Sequence, residues 1–123
     1  MFSLLIALLA GLAIAAVIVI TALTLKWLYN KISEKIKEKR EHEKVVFVDT
    51  EEVINNYVKE KVENSEAISM EDLEKMCEEK PYYTVIYDEE TGDLREQEAY
   101  KPEEVEEKVE KAMKEKQGIL VFN

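Results

Sequence analysis

Residues that usually carry chemistry are scarce in this 123-residue chain. Cys77 is the only cysteine, so a disulfide scaffold is excluded. His42 is the only histidine, which leaves no Ser-His-Asp set and no His-rich metal motif. Three glycines are too few for a Gly-rich phosphate loop, and none stands in the required spacing. Gly and Pro are both absent from residues 26–80, so nothing there demands a break in helical structure. The deepest absence is of charge. Residues 1–25 contain no Asp, Glu, Lys, Arg or His.

The charges that exist are unevenly placed. Residues 26–44 hold seven basic and four acidic side chains, net +3. Residues 45–123 hold ten basic and 23 acidic ones, net −13, and together these make the formal −10. An acidic folded region has no basic face with which to neutralise phosphates, so nucleic acid is excluded as a partner.

Residues 2–25 form an apolar run broken only by Ser3, Thr21 and Thr24. At about 1.5 Å per residue such a run reaches roughly 36 Å as a helix, against a hydrocarbon core of ~30 Å. It is also too long, and lacks the basic start, for a cleaved signal peptide. The expectation is therefore a transmembrane helix over residues 1–25. Lys26, Lys31, Lys35, Lys37, Lys39 and Arg40 follow it, which by the positive-inside rule puts the N-terminus outside and the rest in the cytoplasm. Lys26, Trp27, Tyr29 and Lys31 are the expected membrane-interface residues, with the lipid bilayer as partner. Ala7, Gly11 and Ala15 recur every four residues, the small-residue spacing that lets two membrane helices pack closely.

Leu25, Leu28, Tyr29, Ile32 and Ile36 keep helical spacing, so a charged juxtamembrane stalk is expected over residues 26–44. His42 reads as a solvated residue of that stalk. Beyond it, residues 44–49 read as a buried strand. Asp49 with Glu52, and Ser69 with Asp72, mark two helix starts. Residues 82–87 and 94–100 form a hairpin around Gly92, its second arm polar enough for a sheet edge. Pro102 opens a helix, Gly118 ends it, and residues 119–122 are a last apolar strand.

The fold class expected is a membrane-anchored α+β protein. One transmembrane helix continues into the stalk and then into a β-α-α-β-β-α-β domain over residues 45–123. Its four-stranded mixed sheet carries helices on one face. A calcium loop starting at Asp88 fails, because Asp93 and Ala99 fall where a glycine and a closing glutamate belong. No catalytic residue, cofactor or metal ligand is expected, and Cys77 reads as a small core residue. The function expected is a non-enzymatic, single-pass membrane anchor or accessory subunit, contacting other membrane-complex subunits or a basic protein through its acidic domain. The alternatives are a homo-oligomer assembled through Ala7, Gly11 and Ala15, and a membrane-tethered enzyme.

Overall fold

The structure, a computed structural model, describes residues 10–58 and 69–123. Residues 10–14 are helical. They lead into strand β1 (Ala16–Leu23), helix α1 (Leu25–Glu38), strand β2 (Glu43–Asp49) and a short helix α2 (Thr50–Val53), which runs on as a π-helical turn, Ile54–Val58. Helix α3 (Met70–Glu79), the hairpin β3 (Tyr82–Asp88) and β4 (Leu94–Val105), helix α4 (Glu107–Glu115) and strand β5 (Ile119–Phe122) complete the described chain. The strands form one five-stranded sheet in the order β1-β4-β3-β2-β5. Among the described strands only the β1–β4 pairing is parallel.

Alternation along the strands supplies two apolar faces. Val45 and Phe47 of β2, Tyr82 and Ile86 of β3 and Tyr100 of β4 pack with Leu28 and Ile32 of α1 and Val109 and Met113 of α4. Val46, Val48, Tyr83, Val85 and Ala99 point the other way, toward Leu12, Ala15 and Val53. Three helices begin with side-chain caps, where Thr24, Asp49 and Ser69 accept from the N–H groups of Trp27, Glu52 and Asp72. Gly118, at φ +89°, lies where a Cβ would come 2.9 Å from the Val53 nitrogen, so both the turn and the close approach require glycine.

The membrane-anchored architecture is corrected by β1. Residues 16–23 are a strand paired to β4 from Ala16↔Glu98 to Leu23↔Val105, and the helix before them ends at Ile14. Among the described residues no helix is long and apolar enough to cross a membrane. The single-pass topology and the assignment of the two ends to opposite sides of a bilayer lose their ground with it. The physical reason lies in Val17, Ile18, Val19, Ile20 and Thr21, an unbroken β-branched run that is stiff in a helix and suited to a pleated strand. Hydrophobic continuity alone does not separate the two.

Four further expectations are corrected. Helix α1 is not a free stalk, because Leu28, Ile32 and Lys35 are buried against the sheet. The sheet has five strands, and helices cover both of its faces. The polar strand β4 is not an edge, since β1 lies beside it. Pro102 does not open a helix; it sits in β4 opposite Ile20. The β3–β4 pairing ends at Tyr82↔Tyr100, so Pro102 has a neighbour on one side only and its missing N–H can be tolerated.

Candidate functional site

Two charged regions stand out, and they differ in kind. The first lies under α1. Between Thr84↔Glu98 and Ile86↔Arg95, strand β4 carries one extra residue, with Glu96 at φ +55°. This bulge turns Arg95 and Glu98 to the same face of the sheet, the face that α1 covers. Lys35, almost fully buried, donates to Glu98, and Lys31 lies 3.9 Å from Glu98. The Lys31 ammonium also sits 5.9 Å from the Trp27 ring centre and 5.7 Å from that of Tyr100. Arg95 forms a two-pronged pair with buried Glu43, at 2.7 and 2.6 Å, and donates to the Glu38 carbonyl at 2.9 Å.

These charges neutralise one another. Burial opposes the Lys35 charge, but the Glu98 hydrogen bond and the carboxylates of Glu98, Glu38 and Glu96 hold its pKa above the ordinary value. Arg95 hydrogen bonding holds the Glu43 carboxyl down at about 2. Groups paired this firmly have no proton to exchange near neutral pH. The network ties α1 to the β4 bulge.

In the second region the carboxylates have no ion-pair partner among the described residues. A cleft of about 400 Å³ lies between α2, its π-helical extension and α3. Ile54, Met70, Leu73 and Cys77 supply its apolar part, while Glu51, Glu74 and Glu78 stand as exposed carboxylates on it. A second cleft of about 270 Å³ shares Glu51 and adds Asp49, Glu52, Tyr82, Glu110 and Lys114. Two titratable groups register the negative potential. Burial, followed by Glu51, Asp49, Glu74 and Glu78, pushes the Cys77 thiol up to about 11. Burial, followed among the raising influences by the charges of Glu52 and Glu51, pushes the Asp49 carboxyl up to about 6. A thiol held protonated in this way is not an activated nucleophile.

One cluster has donors of metal-binding type. His42 Nε2 is 3.1 Å from Asp88 Oδ2, and with Glu90 they bring three potential ligand atoms within 4.8 Å of one another. Asp88 Oδ1 also accepts from the N–H groups of Glu90 and Thr91 at 2.8 and 3.2 Å. A side-chain contact between His42 and Asp88 beside a hairpin turn accounts for this arrangement. His42 thus lies on a turn before β2, facing the hairpin, and not on a helical stalk.

The sequence-derived site residues are dispersed. Ala7 lies outside the described residues. Gly11 and Ala15 are buried within the domain, where a Cβ on Gly11 would lie 2.4 Å from Tyr83 Oη. Trp27 packs edge-on against Tyr100 at 4.9 Å, Lys31 is held by Glu98, and Lys26 and Tyr29 are exposed. Sequence reasoning missed the Lys35–Glu98 and Arg95–Glu43 pairs. One signal was present. Lys35 continues the inward stripe of Leu28 and Ile32 at spacings of four and three, a position where a lysine requires a partner. No protein-family model, curated protein or solved structure matches this chain.

Proposed function

We propose that the protein is a non-enzymatic docking module, and that its cleft between α2 and α3 receives a basic segment of a partner protein anchored by an apolar side chain. The observation carrying this reading is the combination found in one place. Ile54, Met70 and Leu73 offer apolar surface, and Glu51, Glu74 and Glu78 beside it have no cation of their own to pair with among the described contacts. Such an arrangement attracts Lys or Arg over distance and rewards an apolar anchor at contact. The raised Cys77 and Asp49 groups support it, because a field that disfavours thiolate and carboxylate favours a cation by the same sign.

The test uses fluorescence anisotropy with three labelled peptides, one of Lys and Leu, one of Lys and Ser, and one of Glu and Leu. The Lys/Leu peptide should bind most tightly, and its affinity should fall as salt rises. Glu74→Lys with Glu78→Lys should weaken it by roughly fivefold or more, at several tenths of a kcal/mol per exposed charge. Glu103→Lys, on β4 and away from the cleft, should change little. Equal binding of the Lys/Ser peptide, or equal loss with Glu103→Lys, would reduce the interaction to the attraction of any polycation for an acidic chain and overturn the reading.

A further inference from the structure

Strand β1 ends the sheet, and among the described residues β4 is its only neighbour. Among those residues its other side is an unpaired row of backbone N–H and C=O groups. Folded proteins ordinarily blunt such an edge with charge, proline, a bulge or a covering element. The sequence of β1, AVIVITAL, contains no charge, proline or glycine. Its pairing with β4 runs from Ala16 to Leu23 without a register shift. Val17 and Ile18 are each 41% exposed, Val19 is 67% exposed, and the preceding Ile14 is 76% exposed. The opposite edge, β5, offers only four residues and one exposed large apolar side chain, Val121.

We propose that two copies of the chain pair β1 to β1, antiparallel across a two-fold axis, and so join their sheets into one. Three observations select a second copy as the occupant. An uncharged strand gives a charged partner nothing to recognise, whereas its own copy is uncharged at every register of self-pairing. The net charge of −10 does not prevent approach along this line. The nearest charged strands would be the two β4 strands, separated by three strand spacings, roughly 14 Å, beyond the ~8 Å screening length at physiological salt. The size sets the strength. Eight residues give a strip roughly 26 Å long and about 10 Å thick, on the order of 520 Å² over both copies, widened by the exposed apolar side chains. That is about half of the ~1,000 Å² that a stable specific interface buries, and it describes a weak, concentration-dependent dimer, not an obligate one. The pairing is isologous, so it closes at two copies.

Sedimentation velocity of the full chain, from micromolar to submillimolar loading, reads the result. The wild type should move from the mass of one chain to that of two, and no further. Val19→Lys should lower the association constant by about tenfold or more, by placing like charges near the axis and removing apolar contact. Val121→Lys should leave it unchanged. A bismaleimide crosslinker applied to Val19→Cys in a Cys77→Ala background should trap the dimer, while Val121→Cys in that background should not. This second arm holds if Val19→Lys fails to fold. A wild type that stays single at all loadings would overturn the proposal. So would growth beyond two, association indifferent to Val19→Lys, or trapping through Val121→Cys.

Discussion

Gly11 decides whether the N-terminal apolar segment belongs to the folded domain. A Cβ placed there would lie 2.4 Å from Tyr83 Oη and 2.8 Å from a Leu94 methyl. Leu94 can rotate its tip. Tyr83 cannot yield as readily, being fully buried on β3 between β2 and β4. Gly11→Ala must therefore displace that ring, at an overpacking cost of about 1–3 kcal/mol, partly offset by up to ~1 kcal/mol from better helix propensity. The net expectation is a loss of about 0.5–2 kcal/mol. Among the described residues Tyr83 Oη has no hydrogen-bond partner. Tyr83→Phe removes it and should be neutral to mildly stabilising. In that background the next ring atom stands 3.6 Å from the new Cβ, an ordinary contact, so Gly11→Ala should cost little or stabilise. Urea unfolding followed by the single tryptophan, Trp27, gives the four free energies of the cycle. The reasoning is refuted if the Gly11→Ala effect is the same in both backgrounds to within ~0.5 kcal/mol, since a residue that never meets Tyr83 would behave that way.

Two predictions concern pH. Asp49 has its folded pKa raised from 3.8 to about 6, so its contribution to stability is full below its ordinary value and is lost as pH rises through about 6. Asp49→Asn keeps a capping oxygen and removes the charge. It should stabilise the domain by about 1–2 kcal/mol at pH 8, after allowance for screening, with the advantage vanishing below pH 4; urea midpoints across that range measure it. Glu43 behaves oppositely. Its folded pKa is lowered from 4.5 to about 2, so its contribution is present above the ordinary carboxylate value and lost as pH falls through about 2. Glu43→Gln should cost about 1–3 kcal/mol at pH 7, because Arg95 loses its carboxylate, and progressively less in acid. A difference independent of pH would show that the pair is not what Glu43 contributes.

Local signals were the legible ones. Asp49 and Ser69 announce helix starts through the residues three positions on, and the caps form there. Residues 82–87 are all aromatic or β-branched, strand formers on both faces, and Gly92 supplies the positive φ of the turn after them. Features that depend on distant partners were not legible. Nothing beside Glu98 announces Lys35, 63 residues away. No composition rule places a bulge at Glu96, yet that bulge alone gives Arg95 and Glu98 a common face. The run at residues 2–25, which holds β1 at residues 16–23, satisfied the length and polarity of a membrane span. Its β-branched content argued for a strand, but only pairing with β4 decides between them. The cleft between α2 and α3 was legible as an acidic region only. Its apolar part requires the two short helices to meet.

The uncharged run and the basic run after it act as one device. Strand β4 carries Arg95, Glu98 and Glu96 within a sheet, a composition suited to an edge. It becomes an inner strand because β1 supplies backbone pairing on one side while α1, joined to β1 through Thr24 alone, lays Lys31 and Lys35 over the half-buried Glu98 carboxylate. Backbone pairing without α1 would leave Tyr100 and the apolar face around it uncovered, and α1 without β1 would leave the β4 edge open. Each half removes a cost that the other would incur. The open edge is thereby moved outward from a charged strand, which repels a copy of itself, to an uncharged one, which does not. Whatever loosens the Lys35–Glu98 contact should therefore loosen β1 as well. Lys35→Met, which keeps the buried stem and drops the charge, should reduce amide-exchange protection along residues 16–23 more than along β2, whose partners β3 and β5 it does not touch. Uniform loss along both strands would mean that β1 and α1 are held independently.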